Sequence, residues 1–351
     1  MKKLFLFAFA IALFGACQDS ETDFTDPEAT LRMADDFTPP GLQGKNCASM
    51  GVLDRQIAAN PDRFEKLQAI EAHTQRFINA KPGNGNGNGN GGGGNGGGGN
   101  GGGGGEEPTP FEGVVTIPVV VHVIYSNSNE NISAGQIQSQ MDVLNDDFRA
   151  LNSDVGQVPA EFAGLVADAE INFVLDQVIR VPSNTTSWGT NDAMKFSSNG
   201  GSDVVDPANK LNMWVCNIGG GILGYAQFPG GNSATDGVVM SPQYFGTTGY
   251  VSAPFDGGRT TTHEVGHWLN LRHIWGDGRC NRDDFVSDTP TSDRPNYGCP
   301  AYPVRHCRSN DMSMNYMDYV DDACMYMFSN GQKDRMRALF AAGGARESFV
   351  Q

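Results

Sequence analysis

Residues 83–105 contain nothing but 17 glycines and 6 asparagines, and this tract constrains the chain more than any other feature. It has no apolar side chains whose burial could offset the entropy of ordering, so it predicts a flexible tether. Its root-mean-square span is roughly 25–30 Å, with a contour length of about 75 Å. No single core runs through such a tract. The chain therefore divides into a leader (residues 1–17), an N-terminal segment (18–82), the tether (83–105) and a domain (106–351).

The leader begins with Lys2 and Lys3, followed by an apolar stretch over residues 4–16. Thirteen apolar residues are too few to span about 30 Å of hydrocarbon, so the stretch reads as an export signal. Phe14-Gly15-Ala16-Cys17 resembles a bacterial lipobox, in which the cysteine becomes lipidated. The expected destination is outside the cell, either secreted or as an outer-membrane or cell-surface lipoprotein. Membrane contact would come only through a lipid on Cys17. Export leaves six of the seven cysteines in an oxidising compartment, where disulfides form. The formal charge is −16, from 24 Lys+Arg against 40 Asp+Glu. Binding to a phosphate backbone needs a basic face, so nucleic acid is not an expected partner.

In the N-terminal segment, Ile57, Phe64, Leu67 and Ile70 recur near helical spacing over residues 54–78, interrupted by Pro61. After the tether, residues 114–125 form an apolar, β-branched run that predicts a strand buried on both faces. Pro118 within it points to an edge position or a bulge. Ile137, Met141, Leu144 and Phe148 then make one stripe of an amphipathic helix, with Asn131 or Ser133 as candidate cap. Strand-like runs follow at 171–181, 211–218 and 237–241. The expected fold class is α/β, with a mixed, mostly parallel twisted sheet carrying helices. Residues 275–329 are rich in Asp, Pro, Gly and Cys, and predict an irregular subdomain held by cross-links. A short helix is expected over 329–342.

The chain has six histidines, and three lie in the eleven residues His263-Glu264-Val265-Gly266-His267-Trp268-Leu269-Asn270-Leu271-Arg272-His273. Side chains at i and i+4 of a helix share a face, so His263 and His267 can grip one zinc ion. Glu264 is placed to act on water at the metal. A straight helix would carry His273 away, so the helix must break before it. Asn270 tolerates the left-handed backbone such a break requires.

This segment resembles the extended zinc signature H-E-x-x-H-x-x-G-x-x-H of the metzincin metallopeptidases, with Asn270 in the place of glycine. Asn315-Tyr316-Met317-Asp318-Tyr319 resembles their methionine turn. Three further stretches resemble the pappalysin-like branch (the cytophagalysin and ulilysin type): Gly221-Ile222-Leu223-Gly224-Tyr225-Ala226, Asp236-Gly237-Val238-Val239-Met240, and Val286-Ser287-Asp288-Thr289-Pro290. The resemblance covers most of residues 114–340. It implies that His263, His267 and His273 bind zinc, that Glu264 is the general base, that Met317 floors the site and that Tyr319 stabilises the tetrahedral intermediate. Three imidazoles leave a fourth zinc position open, as catalysis requires. The expected activity is endopeptidase action on proteins or peptides.

The resemblance extends to the other cysteines and to the acidic loop. Cys47, in Lys45-Asn46-Cys47-Ala48-Ser49, resembles the latency cysteine of pappalysin-like proenzymes, where the motif reads Arg-x-Cys-Gly-Thr. A thiolate there would occupy the fourth zinc position. That implies a latent precursor, activated by cleavage in or near the tether. Cys280, Cys299, Cys307 and Cys324 lack C-x-x-C spacing, which disfavours a second zinc site; four cysteines allow three pairings. The resemblance suggests Cys280 with Cys307 and Cys299 with Cys324. Cys216 falls in a strand-like run and reads as a buried thiol. Asp277, Asp283, Asp284, Asp288 and Asp293 crowd the loop after the zinc helix. Such oxygens suit calcium, and the resemblance implies a site at Asp284, Asp288 and Thr289. Asp321 and Asp322, just past the methionine turn, suggest a preference for basic residues after the scissile bond. The alternative is a catalytically silent cell-surface binding protein on the same scaffold. It has no use for a carboxylate at Glu264.

Overall fold

The computed structural model describes residues 45–80 and 108–351. The expectations for the leader, the lipobox Cys17 and the tether lie outside these residues. In the N-terminal segment, Pro61 divides the expected helix into α1 (Ser49–Ala59) and α2 (Asp62–Ala80). Proline cannot supply the amide that would continue the first helix, and Asn60 is extended.

The main sheet is built on β1 (Val115–Tyr125), which pairs in parallel with β2 (Ile171–Pro182) and β3 (Leu211–Val215). β3 pairs in parallel with β5 (Val238–Met240), and β4 (Gly224–Ala226) closes the sheet antiparallel to β5. The order is β2-β1-β3-β5-β4, so β4 is an edge strand. Pro118 sits in an inner strand, so of the two expected settings, an edge or a bulge, the structure has the bulge. The sheet tolerates it because β3 begins to pair only at Val119, and a register shift follows between Val119 and Val120.

Helix α3 (Ala134–Phe148) starts at Ser133, whose hydroxyl accepts from Gln136 N at 3.1 Å. Its stripe of Ile137, Met141, Leu144 and Phe148 is buried against Val115, Val119 and Val123 of β1. The opposite sheet face carries a second cluster around Ile124, Trp214, Tyr225 and Val239, which Val52 of α1 joins. Helix α4 (Arg259–Trp268) packs against α3 and β4. The chain after it is irregular, apart from the short pair β6 (Tyr297–Gly298) and β7 (Tyr319–Val320). Disulfides Cys280–Cys307 and Cys299–Cys324 fasten this region. Cys216 is buried with a free thiol. Helix α5 (Asn330–Ala338) is opened by a capping box in which Ser329 and Gln332 satisfy each other's backbone amides.

Candidate metal centre

The zinc-signature segment folds as helix followed by reversal. After Trp268 the chain forms a Schellman turn: Leu271 N bonds Gly266 O at 3.0 Å and Asn270 N bonds His267 O at 2.9 Å. Asn270 takes φ +70°, the left-handed conformation expected of it. The reversal returns His273 to the face already carrying His263 and His267. The Nε2 atom of His267 lies 3.1 Å from those of both His263 and His273.

Each imidazole is oriented through its other nitrogen. His263 Nδ1 meets Tyr316 O at 2.7 Å, His267 Nδ1 meets Leu271 O at 2.8 Å, and His273 Nδ1 meets the Asp277 carboxylate. Acceptors at all three Nδ1 atoms place the proton there and leave the Nε2 lone pairs converging, the arrangement a metal requires. Burial pushes the pKa values of His263 and His267 well below the ordinary histidine value, with neighbouring imidazoles adding to the effect. They are therefore neutral, as ligands must be.

Support comes from beneath and behind. Met317 is fully buried, and a Cβ on Gly266 would come within 2.5 Å of its Sδ. Only glycine lets the helix sit this close to the methionine turn. The turn is held by Asn315, whose Oδ1 accepts from Met317 N at 2.9 Å while its amide exchanges hydrogen bonds with Gln332. Behind the helix, Asp147 on α3 accepts from Thr262 Oγ1 at 2.7 Å and Tyr316 Oη at 2.8 Å, and pairs with Arg259 at 3.3 Å. One carboxylate thus ties the backing helix to both the histidine helix and the methionine turn. Burial raises its pKa to about 6 despite these donors. Tyr319 is buried with its ring 4.9 Å from that of His273, and Trp275 stacks on His273 at 4.3 Å.

The fourth side of the cluster is supplied by the N-terminal segment. Ligand atoms of Cys47, His263, His267 and His273 all lie within 4.8 Å of one another, and all four residues are buried. This is the sole metal-competent group of three or more His, Cys, Asp or Glu among the described residues. The segment reaches it along edge strand β4: Leu223 N bonds Asn46 O at 3.0 Å and Ala48 N bonds Gly224 O at 3.1 Å. Glu264 Oε2 accepts from Ser49 Oγ at 2.7 Å and Cys47 Sγ at 3.4 Å, while its Oε1 is buried without a partner. Burial raises the Glu264 pKa, against the lowering by Ser49 and Cys47. Lys45, also buried, reaches Asp322 at 3.4 Å. A converging imidazole triad, a thiol and an orphaned carboxylate oxygen fit a metal ion with a base beside it.

Several contributors carry no sequence signature of their own. Asp277 reads as one acid among five in a calcium-suited loop, yet it orients His273. Asp147 reads as an ordinary polar position on α3. In the remaining acidic loop, Asp284 accepts from Thr289 Oγ1 and Val286 N, and Asp288 accepts from Ser329 Oγ and Gly331 N. These carboxylates fasten the loop to itself and to the start of α5.

Comparison with known proteins points the same way. The family model described as pregnancy-associated plasma protein-A, peptidase M43, matches residues 201–341. Extracellular metalloprotease 1 of Coccidioides posadasii is 34% identical over 236 residues, covering 64% of this chain and 77% of the relative. An extracellular metalloprotease of Arthroderma benhamiae is 32% identical over 249 residues, covering 67% and 76%. Among solved structures, mature mirolysin of Tannerella forsythia with a cleaved peptide has a TM-score of 0.67 at 45% identity, covering 68% of this chain and 96% of that one. A point mutant of promirolysin from the same organism has a TM-score of 0.73 at 36% identity and covers 87% and 97%.

Proposed function

The chain belongs to the pappalysin family of M43 metalloproteases, and from that premise we propose that it is a secreted zinc endopeptidase made as a latent precursor. The observation that carries this reading is the convergence of three Nδ1-anchored imidazoles beside the buried Glu264 carboxylate. His263, His267 and His273 would hold the zinc ion. When bound, zinc supplies Lewis acidity and makes water acidic enough to attack a carbonyl near neutral pH. Glu264 would accept a proton from the attacking water and deliver it to the leaving amine. Tyr319, whose ring lies 4.9 Å from that of His273, would stabilise the developing oxyanion through its hydroxyl. Met317 packs beneath the ligands.

In the precursor, Cys47 would take the fourth ligand position and exclude water from it. Ser49 meanwhile holds the base. Release of residues 18–82 after cutting in the tether would free both groups. The pairing of Lys45 with Asp322 suggests that a basic substrate side chain takes the same place in the active enzyme. Lipidation at Cys17 would keep the precursor on the cell surface. Calcium at Asp284, Asp288 and Thr289 remains a separate part of the reading, and chelation by EGTA with zinc retained would lower the melting temperature if it is present.

Glu264→Gln tests the central assignment. Zinc should stay bound at one per chain while peptide hydrolysis falls by about 10² to 10⁴-fold, the usual range for a general base. Undiminished turnover would remove the role given to Glu264.

A further inference from the structure

Away from the metal cluster, α2 makes a contact that latency through Cys47 does not need. Glu71 gives both carboxylate oxygens to Arg335 of α5, at 2.9 Å from Nη1 and 2.7 Å from Nη2. The Arg335 side chain is 1% exposed and that of Glu71 15%. Burial alone would raise the Glu71 pKa; the hydrogen bonds and charge of Arg335 outweigh it and bring the carboxyl below its ordinary value.

The protease part holds the receiving side ready. Arg335 also donates to Phe285 O at 3.2 Å and Asn270 O at 3.5 Å, so its guanidinium keeps its place without α2. Its Nε is buried with no partner. Arg272 and Arg335 lie over the same Phe285 ring, 5.0 and 5.6 Å from its centroid. Beside them, Phe77 of α2 packs on Ala338 and Ala341, so the surface accepts an apolar side chain along with the carboxylate. A free inorganic anion would use only the first part. A polypeptide uses both.

On the reading that residues 18–82 depart during activation, we propose that Arg272 and Arg335 become a carboxylate-binding exosite of the active protease, taking an acidic side chain of a protein substrate where Glu71 sits in the precursor. The guanidinium fork matches a carboxylate in two hydrogen bonds, and Glu71 displays that geometry. Asn270 links the exosite to the turn that carries His273, so a substrate held there is anchored to the same part of the chain as the metal cluster but away from the scissile bond. Binding energy gained there is remote from the reacting atoms and acts first on KM.

The test uses the full chain activated by limited proteolysis, with mass spectrometry of the active species. Two peptides share one scissile sequence and carry, through a series of Gly/Ser spacers, either a Glu-Glu-Glu or a Gln-Gln-Gln block. The Glu peptide should show a lower KM by roughly three- to tenfold at low salt. That ratio should fall toward one at about 0.5 M NaCl, where the Debye length is only a few ångströms. Arg335→Gln should also bring it to one; because the ratio is taken within each enzyme, a general loss of activity cancels. Equal KM values with residues 45–80 gone would overturn the exosite and leave latency standing, as would a ratio that survives Arg335→Gln. An active species that retains residues 45–80 would overturn the latency reading, and the exosite with it. Should Arg335→Gln fail to fold, the salt dependence of the unaltered enzyme decides.

Discussion

The two sides of the metal cluster are built from different materials. The histidine side comes from eleven consecutive residues, and its orienting bonds run to Tyr316 O, Leu271 O and Asp277, all within the protease part. The opposite side, with Cys47 and Ser49, reaches Glu264 from across more than 200 residues. It is held by a short run of strand pairing and a few side-chain contacts, among them Lys45–Asp322 and Glu71–Arg335. The first side resists disturbance because packed helices and a methionine turn over-determine it. The second is a separate stretch of chain: water can replace its polar pairs, and only the burial of a few apolar side chains such as Val52 and Phe77 must be given up when it leaves. A latent protease needs this difference, since the site must survive the loss of its plug.

The comparison breaks most directly at Asp147, the carboxylate behind the histidine wall. Asp147→Ala leaves the buried Tyr316 and Thr262 hydroxyls without their acceptor and takes from Arg259 one of its two carboxylate partners, Asp154 remaining, and should cost about 2–4 kcal/mol of stability. Chemical denaturation of the precursor measures it; a loss under about 1 kcal/mol would mean that the wall does not depend on α3.

A smaller effect is expected at Asp277. Asp277→Ala removes the acceptor that orients His273 and should weaken metal affinity by about 10- to 100-fold, as for other second-layer partners of ligating histidines. Competition with a chromogenic chelator reads this directly. Unchanged affinity would return Asp277 to the acidic loop.

On the plug side, Ser49→Ala frees the base while leaving Cys47 in place. The lost hydrogen bond to a buried carboxylate is worth about 1.5 kcal/mol, so precursor leak activity should rise on the order of tenfold. Cys47→Ser should raise it further. Equal leak from both variants would show that the thiol adds nothing to the hydroxyl.

The smallest effect concerns pH. The folded-state pKa of Glu71 lies below its ordinary value of 4.5. Its contribution is therefore fully present above 4.5 and disappears as the pH falls through the lower, folded value. About 1 kcal/mol of segment affinity should be lost across that acid window, and Glu71→Gln should abolish the dependence. Segment release followed by size exclusion gives the measurement, and a pH profile shared by the two proteins would count against the ion pair.

Much of the architecture is legible in the chain because it follows from local periodicity. The runs at 171–181, 211–218 and 237–241 form strands, although β3 and β5 are shorter than their runs. Apolar residues extend past the last ladder pair because burial does not require pairing. The helical register puts His263 and His267 on one face, and Asn270 marks the reversal that returns His273. Pro61 divides the N-terminal helices. Pro118, by contrast, is compatible with either an edge or a bulge, and only the place where β3 begins pairing decides between them.

What the amino-acid order determined alone is the spacing of the three imidazoles and the glutamate, because backbone geometry over ten residues leaves few alternatives. The chain's composition also carries the expectation of a tether between the N-terminal segment and the protease part, since a glycine–asparagine tract offers no apolar side chains to bury. The tertiary structure decided which groups serve those residues. Asp147, Asp277, Ser49 and the Glu71–Arg335 pair look like any other polar positions along the chain. Their partners lie across loops and helices of no fixed length, so their roles arise only when packing brings particular atoms within hydrogen-bond reach.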